Sequence, residues 1–148
     1  MKRALITGGS RGIGAAVAVR LAERGYTELA LTYRTRRDAA LEVAARCISA
    51  GANVELIEVD FASPENITRC LERIHELWGG VDTLVNNAGI TSDALALRMR
   101  PDRWSEVLDV NLSAPFFLCK GVLKSMIKQR TGRIINLSSV IAQRSRGG

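Results

Sequence analysis

The sequence is poor in aromatic residues, histidine and cysteine, and each shortage excludes some kinds of functional site. His75 is the only histidine, so a Ser-His-Asp triad would have a single possible base. His75 falls in an amphipathic stretch, and we expect it on the surface. The three cysteines, Cys47, Cys70 and Cys119, fit neither a disulfide framework nor a zinc site. We therefore expect free thiols, a cytoplasmic location and no metal.

Long apolar runs are also absent. No stretch approaches the roughly 18 apolar residues of a membrane-spanning helix, and the short apolar run at residues 4–6 makes a poor signal peptide. Apolar residues make up 47% and charged residues 24% of the chain, which excludes disordered and collagen-like classes. A length of 148 residues predicts one domain with a real core.

Positive charge is concentrated in the last third of the chain. Residues 1–97 carry 11 Lys and Arg against 12 Asp and Glu, whereas residues 98–148 carry 10 against 3. A basic region is typical of binding to nucleic acid, an acidic protein or an anionic substrate, and equally of a solvated face. Nucleic acid is disfavoured because the basic residues lack a regular pattern of interleaved aromatic residues and no nucleic-acid motif is present.

Short apolar strands alternate with helical repeats along the chain. Ser63 is a predicted N-cap, Pro64 a predicted first helical residue, and Gly79-Gly80 the predicted end of the same helix. The pattern predicts strands at 3–7, 29–33, 54–59, 81–85 and 133–137, and helices at 12–24, 36–50, 64–78 and 101–129. Such alternation predicts an α/β fold, a doubly wound parallel sheet of about five strands with helices on both faces.

A glycine-rich loop joins the first predicted strand to the first helix. It reads Thr7-Gly8-Gly9-Ser10-Arg11-Gly12-Ile13-Gly14. A strand, a glycine loop and a helix together are typical of dinucleotide binding, since glycines allow a tight turn and close approach of a pyrophosphate. Gly12 would admit the phosphates, Gly14 would allow close helix packing, and the helix N-terminus would attract negative charge. The Gly-Lys-Ser/Thr end of a Walker loop is absent.

Further motifs follow in order. They are Thr-Gly-x-x-x-Gly-x-Gly at 7–14, Asn-Asn-Ala-Gly at 86–89, Asn111 within 109–112, and Ser138-Ser139 after the fifth strand. Over the whole chain these motifs resemble the short-chain dehydrogenase/reductase family. Residues 89–99 look most like bacterial 3-oxoacyl-[acyl-carrier-protein] reductases. The resemblance implies a Rossmann-type domain, incomplete at its C-terminus, in an NADP-dependent enzyme that reduces a carbonyl.

The resemblance also implies which residues hold the cofactor. They are Gly8, Ser10, Arg11, Gly12, Ile13, Gly14, Arg34, Asp60, Phe61, Asn87, Ala88 and Gly89. Asp60 could instead satisfy backbone N–H groups in a turn, and Asn87 could join strands through its amide. No acid ends the second strand, where an NAD enzyme usually places one, while Arg34, Arg36 and Arg37 follow it. This favours NADP(H), although some of these arginines can simply be solvated.

The family's catalytic set is represented in part. Ser139 matches the serine that binds the substrate oxygen, and Asn111 the asparagine that supports a water relay. The family's Tyr-x-x-x-Lys pair is missing, because Ala30 follows Tyr26 by four positions and Arg37 follows Tyr33. In the family that pair comes about a dozen residues after the serine. We therefore expect the chain to be a fragment of a reductase and inactive alone; the alternative is a non-catalytic dinucleotide-binding protein.

The resemblance implies partners as well. The substrate would be a small carbonyl compound or one carried by an acyl carrier protein, and the complete protein would be a homo-oligomer. Lys120, Lys124 and Lys128 recur every four residues on one helix face, with Arg130 and Arg133 close behind. Such a row could steer an acidic carrier or be a solvated face. No nucleic-acid or membrane partner is expected.

Overall fold

The computed structural model describes residues 1–139 and confirms the alternating order of strands and helices. The elements are β1 (Arg3–Ile6), α1 (Gly12–Glu23), β2 (Glu28–Tyr33), α2 (Arg37–Ser49), β3 (Asn53–Glu58), α3 (Pro64–Trp78), β4 (Thr83–Asn86), α4 (Pro101–Leu108), α5 (Ala114–Gln129) and β5 (Arg133–Asn136). The predicted outer boundaries differ from these by at most two residues.

The five strands within residues 1–139 are all parallel, in the spatial order β3-β2-β1-β4-β5. Leu5 in β1 lies opposite Ala30 of β2 on one side and Leu84 of β4 on the other. The chain therefore winds outward from β1 to β3 and then returns to the other side of β1. In such sheets the reversal point between β1 and β4 opens a crevice at the carboxyl ends of the strands.

Two separate cores cover the two faces of the sheet. Leu5 and Leu84 face the core made with α3 and α5, where Leu118 is also buried. Ala4 and Ile6, the sequence neighbours of Leu5, face the core made with α1 and α2. Successive side chains of a strand point to opposite faces, and burial on both faces is typical of parallel sheets.

The ends of α3 match the sequence signals. The Ser63 side chain accepts a hydrogen bond from the Asn66 backbone N–H at 3.3 Å, and Pro64 occupies the first turn. Gly79 ends the helix with φ of 70°, a left-handed conformation that favours glycine. These signals therefore place α3 correctly from sequence alone.

The helical region from Pro101 to Gln129 is not one regular helix. A π-helical turn, Asp109–Ser113, separates α4 from α5. Such turns are often found at functional sites. A second irregular element, the 3₁₀ turn Ala96–Arg98, precedes α4 in the connection from β4.

Cys47 and Cys70 are buried and Cys119 is half-buried, all as free thiols. Burial raises the pKa of the Cys70 thiol to about 12 and also raises the pKa of Cys47. Both therefore stay protonated and unreactive at neutral pH. Among the helices in residues 1–139, none combines the length and apolar character needed to cross a bilayer.

A substitution at Leu84 tests the packing of the two cores against the sheet. Leu84 is fully buried in the central strand β4, so Leu84→Ala should lower the free energy of unfolding by about 2–5 kcal/mol through lost burial and a cavity. Leu97→Ala, at a fully exposed leucine, is the control and should change it by less than about 0.5 kcal/mol. Urea unfolding curves measure both. Equal effects of the two changes would contradict this packing.

Candidate functional site

A crevice of about 500 Å³ opens at the carboxyl ends of the strands, at the reversal point between β1 and β4. Its walls come from the loops after β1, β2, β3 and β4 and from one residue of the π-helical turn. The lining residues are Gly8, Ser10, Arg11, Gly12, Ile13, Thr32, Tyr33, Arg34, Thr35, Arg36, Val59, Asp60, Phe61, Asn87, Ala88, Gly89, Ile90 and Val110. The crevice thus gathers every predicted cofactor residue except Gly14.

The glycine loop is fastened to β2 through Thr32. The Gly9 N–H donates to the Thr32 carbonyl at 2.9 Å, and the Gly8 N–H donates to the Thr32 hydroxyl at 3.1 Å. Gly8 and Gly12 have φ of 65° and 56°, which disfavour any other residue. The loop is therefore held in one shape beside the crevice.

Gly12 and Gly14 are required for different reasons. A Cβ on Gly12 would meet no atom within 4 Å, so this backbone faces open space at the crevice. A Cβ on Gly14 would collide with the Gly8 carbonyl oxygen and would lie 2.5 Å from Nδ2 of Asn87. Gly14 lies beneath the loop, and its role is to let the helix start approach β1 and Asn87. Gly12 leaves room for a ligand.

The start of α1 is suited to an anion. No side chain caps this end within residues 1–139, and no acidic residue lies in the first turn. The first N–H groups of a helix have no partner within the helix and carry partial positive charge. With Gly12 at this position, a phosphate group could approach these N–H groups directly.

Thr7 and Asn87 join the ends of β1 and β4. The Thr7 hydroxyl oxygen accepts from the backbone N–H groups of Asn87 and Ala88, each at 2.9 Å. In return, Nδ2 of Asn87 donates to the carbonyl oxygens of Thr7 at 2.8 Å and Gly8 at 3.0 Å. Asn87 therefore both lines the crevice and ties the strands together.

Three arginines face the crevice from two sides. Arg11 comes from the glycine loop, and Arg34 and Arg36 follow β2; all three are exposed. Within residues 1–139, none of them lies within 4 Å of a carboxylate oxygen. Arg37 does not line the crevice and belongs to the solvated start of α2. The positive charges of the first three are therefore available to an anion in the crevice.

Asp60 and Phe61 form the wall beyond β3. Oδ1 of Asp60 accepts a hydrogen bond from the Ala62 N–H at 3.0 Å, so Asp60 stabilises a turn as well as lining the crevice. Phe61 is largely buried, with part of its surface on the crevice wall. The carboxylate is thereby fixed in position at the end of β3.

Asn111 and Ser139, the predicted catalytic residues, do not line the crevice. Asn111 lies in the π-helical turn, where Oδ1 accepts from the Ile90 N–H at 2.9 Å and Nδ2 donates to the Ile90 carbonyl at 2.8 Å. Its side chain therefore holds the loop after β4. Ser139 lies three residues beyond Asn136, the last residue of β5, on the exposed carboxyl edge.

Four residues contribute to the site although sequence alone does not assign them to it: Thr7, Thr32, Arg36 and Ile90. Thr7 stands inside the glycine motif, and Thr32 is a lone polar residue in an apolar strand, so both carried a signal. Ile90 takes part through its backbone, which no side-chain pattern can reveal. Arg36 and Arg37 are adjacent and carry the same charge, so the sequence does not distinguish which of them faces the crevice.

A family model described as short chain dehydrogenase matches residues 2–148. The chain belongs to the short-chain dehydrogenase family. This agrees with the crevice, whose glycine loop and Asn-Asn-Ala-Gly segment carry the motifs that resembled the family. A parallel sheet with a reversal point beside that loop is the setting in which such motifs bind dinucleotides.

Individual members of the short-chain dehydrogenase family match over nearly the whole chain. The 3-oxoacyl-[acyl-carrier-protein] reductase FabG of Escherichia coli is 42% identical over 99% of the chain. The chain spans 58% of that relative's length. A metagenomic short-chain oxidoreductase solved in complex with NADP superposes with a TM-score of 0.91 at 32% identity, covering 98% of this chain and 65% of that one. A Burkholderia cenocepacia short chain dehydrogenase, also in complex with NADP, gives 0.87 at 36% identity, covering 99% and 58%.

Replacing Thr7 should weaken the joint between β1 and β4. Thr7→Val keeps the shape but leaves the N–H groups of Asn87 and Ala88 without their acceptor, so we expect a loss of about 1–3 kcal/mol in unfolding free energy. Thr27→Val, at an exposed threonine, is the matched control and should be nearly neutral. Chemical denaturation provides the measurement. If Thr7→Val leaves the free energy of unfolding unchanged, these hydrogen bonds make no net contribution to stability.

Proposed function

We propose that this chain is the dinucleotide-binding part of an NADPH-dependent oxidoreductase that reduces a 3-oxoacyl thioester to a 3-hydroxyacyl thioester in fatty-acid synthesis. The observation that carries the proposal is the crevice, where the glycine loop and the start of α1 lie beside three exposed arginines. The names of the relatives and of the NADP complexes support it.

The residues present fit a phosphorylated dinucleotide. Gly12 and the N-terminus of α1 would hold the pyrophosphate, because the loop backbone there is open and positively polarised. Arg34, with Arg11 or Arg36, would pair with a 2′-phosphate on the adenosine ribose, since guanidinium groups bind phosphate in a bidentate manner. Asp60 and Phe61 would border the adenine.

The proposed chemistry is hydride transfer to a carbonyl carbon, for which the bound nicotinamide supplies the hydride. Ser139 would donate a hydrogen bond to the carbonyl oxygen and hold it in place. Asn111 has its side chain engaged by Ile90, so any contribution to a water relay would come from its backbone in the π-helical turn. Its first role would be to position the loop after β4 beside the crevice.

The proposed substrate is carried by an acyl carrier protein, following the printed name of the Escherichia coli relative. Lys120, Lys124 and Lys128 are all exposed on α5. Because α5 runs antiparallel to the strands, Lys120 lies about 9 Å and Lys128 about 21 Å along the axis from the helix start near the crevice. Lys120 is therefore the lysine of this row that we assign to a carrier delivering substrate to the crevice.

We further propose that the complete protein is a cytoplasmic homo-oligomer. Large apolar side chains recur every four residues and lie exposed along α4, the π-helical turn and α5, at Trp104, Leu108, Leu112 and Phe116. Such a stripe supports association with another helix face, and symmetric pairing of identical faces is the commonest arrangement. The free thiols support a reducing compartment.

Cofactor preference tests the proposed arginine site. We expect NADPH to bind more tightly than NADH. Arg34→Asp should weaken NADPH binding about tenfold or more and should not weaken NADH binding, because an acid at this position can accept a hydrogen bond from the ribose 2′-OH. Arg37→Asp removes a similar charge outside the crevice and is the matched control. Titration of cofactor fluorescence gives each affinity. Equal affinity of the unmodified chain for both cofactors would contradict the proposal.

Turnover separates the reductase from a non-catalytic dinucleotide-binding protein. The 148 residues contain no Tyr-x-x-x-Lys, so we expect them to bind NADPH without oxidising it when a 3-oxoacyl thioester is added. The same assay on a polypeptide that includes such a pair downstream of Ser139 should show thioester-dependent NADPH oxidation. A longer protein that binds NADPH and never turns over would favour the non-catalytic alternative. Turnover by the 148 residues at a full-length relative's rate would contradict the expected inactivity.

A further inference from the structure

A second concave site lies between α3 and α5, away from the crevice. It is a groove of about 580 Å³ lined by Leu71, Ile74, His75, Trp78, Gly79, Gly80, Gly121, Val122, Lys124, Ser125, Lys128 and Gln129. Because α5 ends shortly before β5 begins, the groove lies toward the amino ends of the strands. The crevice lies at their carboxyl ends, so the two sites share no lining residue.

The groove has an apolar floor with fixed walls. Ile74 and Val122 are buried beneath it, and Leu71 and Trp78 are half-buried on its α3 side. A Cβ on Gly121 would lie 2.5 Å from Leu71, so the two helices are in close contact at that level. The Trp78 carbonyl accepts a hydrogen bond from Nη1 of Arg3 at 2.7 Å, which fastens the end of α3 to β1.

The rim of the groove is basic. Lys124 and Lys128 are exposed on the α5 side and face His75 on α3. Neither lysine lies within 4 Å of a carboxylate oxygen in the part of the chain that the structure describes, and no Asp or Glu there lines the groove. Lys120, one turn earlier on the same helix, lies outside the lining.

We propose that this groove binds a small amphipathic anion, a medium-length alkyl carboxylate or its equivalent. An alkyl chain would lie on the floor of Ile74, Val122 and Trp78, and the carboxylate would meet the exposed ammonium groups of Lys124 and Lys128. The volume falls in the range of small-molecule sites. This site does not depend on the reaction proposed for the crevice, because it uses other residues and lies toward the amino ends of the strands.

The chain provides its own reporters for a test with sodium octanoate. Trp104→Phe leaves Trp78 as the only tryptophan, and His75 is the only histidine, so Trp78 fluorescence and the His75 imidazole NMR signals both report on the groove. Octanoate should change both signals, with equal affinity in the absence and presence of saturating NADPH. Octanol, which has the same chain without the charge, should bind more weakly. Loss of octanoate binding when NADPH is added would place the ligand in the crevice and overturn the proposal.

Charge variants decide whether the two lysines hold the anion. Lys124→Glu with Lys128→Glu should weaken octanoate binding about tenfold, and the milder Lys124→Ala with Lys128→Ala should weaken it roughly threefold. Lys120→Glu is the matched control on the same helix and should change affinity by less than about twofold. Unchanged affinity in the folded double variants would overturn the proposal. A His75 signal that responds to an acidic carrier protein and not to octanoate would also overturn it, in favour of a protein partner.

Discussion

The structure depends on the joint between Thr7 and Asn87. β1 and β4 are neighbours in the sheet but far apart in sequence, and the crevice exists only where their carboxyl ends part. The Thr7 hydroxyl oxygen accepts hydrogen bonds from the two backbone N–H groups that directly follow β4. The Asn87 side-chain amide donates two hydrogen bonds to the backbone carbonyl oxygens that directly follow β1. Four hydrogen bonds thus fix the reversal point, and Gly14 must lack a side chain to leave room for that amide.

A second connection extends this joint toward α5. Asn111 holds the backbone of Ile90, and Ile90 follows the Asn-Asn-Ala-Gly segment directly. Asn111 lies in the π-helical turn at the boundary between α4 and α5. The Asn111 side chain and the Ile90 backbone thus tie the helical layer to the loop beside the crevice.

The sequence predicted the elements well because their signals are local. Ser63, Pro64 and Gly79 each mark a helix end through short-range chemistry, and strand boundaries followed from short apolar runs. The shape of the glycine loop was predictable because the motif dictates the backbone there, as at Gly12 with its φ of 56°. The lining of the crevice was not predictable where a single residue step decides it, as for Arg36 in the crevice and the adjacent Arg37 outside it. That difference depends on the direction in which α2 begins.

The sequence predicted neither the π-helical turn nor the second groove. The groove changes how the lysines of α5 are interpreted. From the sequence, Lys120, Lys124 and Lys128 form one row, because they recur every four residues. A spacing of four drifts around a helix with 3.6 residues per turn, so the row turns gradually toward α3. The drift brings Lys124 and Lys128 to the groove and leaves Lys120 outside it. Helix geometry thus divides the lysines of α5 between two surfaces, one at the groove and one outside it.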